Sequence, residues 1–334
     1  MIESKRVLVE RVGMALTLFI GCVVLWGSVN SHYPIREWLL LRYGLYWLLT
    51  LVFTASIFSC GFAILRLVWN RPWTLLERCA LSFPLGLLGY FFLAFFAGCL
   101  GLFGPVFFFG APLLLAGAGL STSRDFFRRA ARHLAPLVRS GAFRPRWGSA
   151  GLHAAGLFAL ALFYFSILSP MNVGYDARWY HLPLAEQYSD AGRIFRFGEG
   201  WVMGSYPQLS SLVYAWAFQV PGFQLFDRIE LCAHLEFALL VCRLFALPCL
   251  VRALVPARFR RGENAFPSWA LIFLYPGILL YDSALGIGAD HIAALFAAPI
   301  LIVFFPFARD LSWRGAVLCA AFVSGVLLTK YTGL

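Results

Sequence analysis

"GLYWLLTLVFTASIFSCGFAILR", residues 44 to 66, runs for 23 positions with a single charged side chain, Arg66, at its last position. As a helix it would be about 34 Å long, enough to cross a hydrocarbon core about 30 Å thick. A surface helix of a soluble protein would interrupt such a run with a polar stripe, and this one has none. The same pattern recurs along the chain, near 12–29, 79–101, 103–120, 150–169, 230–251, 267–284, 291–307 and 315–332, giving nine expected spans. Composition agrees: 61% of the 334 residues are hydrophobic and 13% charged, with a mean hydropathy of +0.77. The fold class read from this is an all-α, polytopic transmembrane helical bundle in a bilayer, not a soluble domain.

Arg and Lys resist translocation, so their loops define the cytoplasmic side. Lys5, Arg6 and Arg11 precede the first span, Arg71 and Arg78 follow the second, and Arg258, Arg260 and Arg261 follow the sixth. Residues 121–149 carry Arg124, Arg128, Arg129, Arg132, Arg139, Arg144 and Arg146 against one acid, Asp125. All four clusters fall on one side only if residues 170–229 form a large outer loop without a complete span. The N-terminus is then cytoplasmic, in the cytoplasmic (inner) membrane. The apolar run 209–220 in that loop is too short to cross and suits a juxtamembrane helix half sunk in the interface. Phe126, Phe127, Leu134 and Leu137 among the arginines suggest a second interfacial helix, on the cytoplasmic surface.

The net charge of +11 is accounted for by these clusters and anionic lipid, which leaves no call for a nucleic-acid partner. The first 30 residues, with a basic start, an apolar stretch and Gly27 and Ser28, also admit a secretory signal, although no A-x-A-like site follows. Eight cysteines lie in expected spans or at their ends, none as C-x-x-C, and read as small core hydrophobes. The chain divides into a four-span region, 1–149, with a basic cytoplasmic loop, and a second module, 150–334.

Against this background the stretch YDARWYHLPLAEQYSDAGRI, 175–194, is dense in ionisable groups, immediately beyond a span on the outer side. Pro183 is placed to start a helix, LPLAEQYSDA, and Gly192 to end it. On that helix His181, Leu184, Ala185 and Tyr188 share a face and Glu186 points elsewhere. Asp176 is also a good N-cap residue. Two further groups reach the same face: Asp290, after the GIGA turn between the seventh and eighth spans with Asp282 and His291 near it, and Lys330, near the outer end of the last span. Only two lysines stand beside 25 arginines, and a compact ammonium suits a phosphate, although snorkelling also places lysines at span ends. Two carboxylates, a histidine and a lysine on one membrane face suit chemistry on a phosphate-bearing lipid: a carboxylate takes the proton of an attacking hydroxyl and a cation steadies the departing phosphate.

The sequence Y-D-A-R-W-Y-H-L-P-L-A, then A-G-R-I, Tyr206-Pro207-Gln208, Asp290 opening a span, and T-K-Y-T-G-L resembles the type C (GT-C) membrane glycosyltransferases, in particular the bacterial Rgt-like and aminoarabinose- or mannosyl-transferase group. The resemblance covers about residues 150–334. It implies a glycosyltransferase that moves a sugar from a polyprenyl-phosphate-linked donor to a lipid, glycan or protein acceptor at the outer face. It further implies catalytic roles for Asp176 and Asp290, and phosphate binding by Lys330. His181, Arg178, Tyr180, Glu186 and Tyr206 become candidate substrate contacts. A divalent metal would fit beside Asp290, although no tight ligand spacing calls for one. The first four spans precede the point where many relatives start, and relatives continue past Leu334, so a truncated or fragment sequence is expected.

His234, Glu236 and Arg243 fall inside the sixth expected span. Glu236 and Arg243, seven apart, share a face and suggest a structural ion pair. Two rival classes are a non-catalytic scaffold derived from the same fold and a transporter. A transporter calls for internal repeats and matched broken spans, which the sequence lacks.

Overall fold

The computed structural model describes residues 2–34, 37–139, 147–166, 173–198, 201–255, 268–274 and 286–330. Their regular structure is entirely helical. The chain divides into two compact units, Met1–Leu49 and Thr50–Leu334. The first holds α1 (Ile2–His32) and the start of α2 (Leu39–Val68). From Glu10 to His32 nearly every side chain of α1 is exposed, the apolar helix that either a first span or a signal would require.

Six helical segments among the described residues are long and apolar enough to cross a membrane: Glu10–His32, α2, α3 (Leu75–Cys99), Ser149–Ser166 of α6 (Trp147–Ser166), Leu225–Leu254, and α11 (Asp290–Asp310). Leu225–Leu254 combines α9 (Leu225–Leu244) and α10 (Ala246–Leu254). The protein is a multi-pass helical membrane protein, and its described residues hold fewer full-length spans than the nine expected. The expected span 103–120 is α4 (Pro105–Ala118), 14 residues long, or about 21 Å. It bends by 62° into α5 (Leu120–Arg139), so the two together make at most one broken span. The expected span 315–332 is α12 (Trp313–Thr329), 17 residues and about 25 Å. Of 267–284 only a short 3₁₀ segment, Ser268–Leu274, is described.

α2 and α3 cross at Gly61 and Gly86. A Cβ on Gly61 would lie 1.7 Å from the carbonyl oxygen of Ser82, and one on Gly86 1.9 Å from that of Ile57. Without hydrophobic drive between helices in lipid, such backbone approach supplies the packing. α3 begins with a capping box: Thr74 N–H donates to Glu77 at 2.8 Å and Glu77 N–H to Thr74 Oγ1 at 3.2 Å.

The run 209–220 forms α8 (Leu209–Phe218), and it is not half sunk in an interface. All ten residues are buried in protein. Phe53, Tyr90 and Phe108 pack around Trp216 and its neighbours. Trp216 Nε1 donates to the Phe108 carbonyl at 3.0 Å, and Tyr90 Oη to that of Leu212 at 3.0 Å. The physical reason is that LSSLVYAWAF has no polar face to offer water; a helix apolar all round belongs inside. Helices from both sides of residue 150 therefore share one core. α5 is amphipathic as expected, with Phe126 stacked on Phe62 at 4.6 Å and Phe127 and Leu134 exposed.

α11 and α12 form an antiparallel hairpin closed by Leu311, in the left-handed region at φ 44°, and by Ser312, whose hydroxyl accepts from Gly315 N–H at 3.2 Å. The start of α11 and the end of α12 consequently lie together, and Asp310 lies at the other end, where it pairs with Arg71 at 2.9 Å. Arg66 and Asp125 pair at 3.4 Å. All eight cysteines are free thiols, four of them buried.

Candidate functional site

The chain re-enters helix at Tyr175. A single wide turn, Ala177–His181, follows, closed by Leu182 N–H to the Ala177 carbonyl, an i→i+5 bond of the kind that marks functional positions in other helices. It leads into α7 (Leu182–Ala191), which has Pro183 in its first turn and ends at Gly192, φ 66°. A left-handed residue there costs glycine nothing.

His181, Leu184, Ala185 and Tyr188 are all buried, the face read from the sequence. His181 Nδ1 lies 3.1 Å from Ser211 Oγ of α8, and its Nε2 is buried without a hydrogen-bond partner among the described residues. Tyr188 Oη donates to Gln208 at 2.8 Å, and Gln208 donates on to the Gly204 carbonyl at 2.8 Å, which ties the 202–208 segment to α7.

The Tyr180 ring meets Tyr206 edge-on at 5.6 Å. The Tyr180 hydroxyl lies beside Asp176, and the fields of both Asp176 and Asp290 reach it. Burial first, then these two carboxylates, raise the Tyr180 phenol well above its usual range, so it remains a donor. Lys330 Nζ sits 2.6 Å from Asp290 Oδ1, with Lys330 30% and Asp290 52% exposed. The charges of Lys330 and Asp290 are also felt at His181. Asp176, Tyr180, His181, Tyr206, Asp290 and Lys330, drawn from the loop and from two separate helices, thus form one cluster at the end of the bundle opposite the Arg71–Asp310 pair.

Two of the expected contacts do not join it. Arg178 is exposed and Glu186 half-buried, and no hydrogen bond or ion pair links either side chain to the cluster among the described residues. Asp282 lies outside the described residues, as do residues 331–334 of the T-K-Y-T-G-L stretch. The expected Glu236–Arg243 pair is absent. Seven residues place them about 10 Å apart along the axis, and Glu236 instead takes the hydroxyl of Tyr214 from α8. That hydroxyl, with one proton to give, also lies 2.7 Å from the Gly288 carbonyl and accepts from Gly288 N–H at 2.9 Å, which anchors the turn carrying Asp290. Tyr214 and Ser211 were not singled out from the sequence, and Gln208 only as a letter of the Tyr206-Pro207-Gln208 motif. The available signal was polar atoms in and beside a run otherwise wholly apolar. His234 rests its Nδ1 against the Glu230 carbonyl at 2.7 Å within its own helix.

Burial, then the charge of Lys330, push the His181 imidazole down to about 3, against a smaller opposing pull from Asp290. The folded value lies below the unfolded one, so the stability contributed by the neutral ring is complete above pH 6.5 and lost as the pH falls toward 3. Replacing His181 by Gln is expected to flatten the fall in melting temperature between about pH 6.5 and 4. A melting series in one detergent checks this, and parallel curves for the two proteins would count against a neutral His181.

No group of three or more His, Cys, Asp and Glu side chains among the described residues is arranged to hold a metal ion. Compared with protein-family models, with curated proteins and with solved structures, the chain matches none.

Proposed function

We propose that this chain is a GT-C-type membrane glycosyltransferase acting at the outer face of the cytoplasmic membrane, with a polyprenyl-phosphate-linked sugar as donor. The observation that carries this reading is the gathering, at one end of the bundle, of the Asp176 carboxylate beside Tyr180 with the part-exposed Lys330–Asp290 pair. The arginine pairs occupy the opposite end, and the positive-inside rule assigns that end to the cytoplasm.

In the proposed reaction Asp176 takes the proton of an acceptor hydroxyl while the oxygen attacks the anomeric carbon. The bond from that carbon to the phosphate oxygen breaks, and polyprenyl phosphate leaves with the electron pair. Tyr180 orients the Asp176 carboxylate. Lys330 meets the charge that grows on the leaving phosphate, and Asp290 holds the lysine in place until the donor arrives. A divalent ion at Asp290 would have to displace this ammonium, so the pairing favours lysine as the phosphate's cation.

The test is native mass spectrometry of the detergent-purified chain titrated with polyprenyl phosphate. Lys330→Ala is expected to weaken binding about tenfold, the value of one charge-assisted contact. Equal binding by both proteins would remove Lys330 from the donor site.

A further inference from the structure

We propose that the opposite end of the bundle carries a second binding site, unconnected with the reaction above, for the phosphate group of an anionic ligand, with a phospholipid headgroup as its natural source. A cavity of about 100 Å³ lies between the end of α2, the start of α3 and α5, and four arginines line it, Arg66, Arg71, Arg78 and Arg129, with one carboxylate, Asp125. Two of the four are already engaged: Arg66 with Asp125 at 3.4 Å and Arg71 with Asp310 at 2.9 Å.

Arg78 donates its Nε to the Trp73 carbonyl at 3.3 Å. No ion pair neutralises it or Arg129 among the described residues. Arg78 lies within electrostatic reach of both Arg129 and Arg66. Like charges facing a shared cavity repel, and the repulsion grows where aromatic walls exclude water. Here the walls are Phe62, Phe126, Trp69 and Trp73, with Trp69 and Trp73 holding the Arg71 guanidinium at 5.5 and 5.7 Å. A bound anion converts that repulsion into attraction, and guanidinium forks match phosphate oxygens.

The setting chooses the ligand class. The site lies at the ends of two membrane-crossing helices beside exposed Leu67 and Phe127, where a lipid phosphate can enter while its chains stay in the bilayer. Basic pockets between spans recognise phospholipid headgroups in this way.

The experiment titrates the full detergent-purified chain with short-chain phosphatidylglycerol, with phosphatidylcholine and, separately, with inorganic phosphate, read by native mass spectrometry. Arg78→Gln and Arg129→Gln are compared with Arg128→Gln, which removes the same charge one residue away on α5 and outside the cavity. The expected result is phosphatidylglycerol binding that weakens about tenfold in either cavity variant and is unchanged in Arg128→Gln. Inorganic phosphate bound with the same variant pattern, with no phosphatidylglycerol retained, supports the phosphate site and assigns it to a soluble ligand. Equal weakening in all three variants, or in none, overturns the proposal, because a diffuse basic surface would suffice. Unchanged melting temperatures in the three variants exclude misfolding as the cause.

Discussion

Asp176→Asn is expected to lower sugar transfer by about 10²- to 10⁴-fold, the usual contribution of a positioned general base, while the protein folds as before. The two halves of that expectation have separate causes. Asparagine keeps the size of the side chain and a carbonyl oxygen where the carboxylate now lies beside Tyr180, so the local packing survives. What it loses is the capacity to take a proton. His181 cannot substitute, because its Nε2 is buried away from the acceptor. The measurement is transfer of labelled sugar from a polyprenyl-phosphate donor by full-length protein in detergent, beside a melting curve for each variant. Wild-type transfer by a well-folded Asp176→Asn protein would sink the proposed base, whereas no transfer by the unsubstituted protein would leave the scaffold reading in its place.

The sequence announced some of this arrangement and concealed the rest for physical reasons. That Asp290 and Lys330 lie at one end follows from counting: two antiparallel helices joined by a tight turn bring the start of the first beside the end of the second. Helix limits around Pro183 and Gly192 followed from local backbone chemistry. The run 209–220 was opaque because a short apolar segment has the same pattern whether lipid or protein covers it. Glu236 was opaque for a different reason. Sequence spacing ranks only partners on its own helix, and its true partner, Tyr214, comes from another element. Three expected spans became bent, short or partly undescribed segments for a related reason, since apolar composition does not reveal where a helix bends, as at the 62° break between α4 and α5. Arg178 and Glu186 sit within the ionisable stretch yet make no hydrogen bond or ion pair with the cluster among the described residues, which proximity in sequence could not reveal.

Tyr214→Phe is expected to cost about 3–5 kcal/mol of stability, since it strands several groups at roughly 1–3 kcal/mol each. The hydroxyl now gives its one proton to Glu236 or to the Gly288 carbonyl and accepts from Gly288 N–H. Tyr214 and Glu236 are 0% exposed, so water does not replace the lost bonds. A second effect follows from position: Gly288 precedes Asp290 by two residues, and a released turn lets Asp290 drift from Lys330, whose ammonium it now holds at 2.6 Å. Unfolding in detergent should therefore shift toward the unfolded protein, and polyprenyl-phosphate binding should weaken with it. Adding Glu236→Leu to Tyr214→Phe should recover part of the stability, because two apolar side chains leave no stranded carboxylate. It should recover none of the binding, because Gly288 remains unanchored. A double variant that restores both would mean that Tyr214 serves only to satisfy Glu236. One that restores stability alone identifies Tyr214 as the residue through which the core holds Asp290 in position.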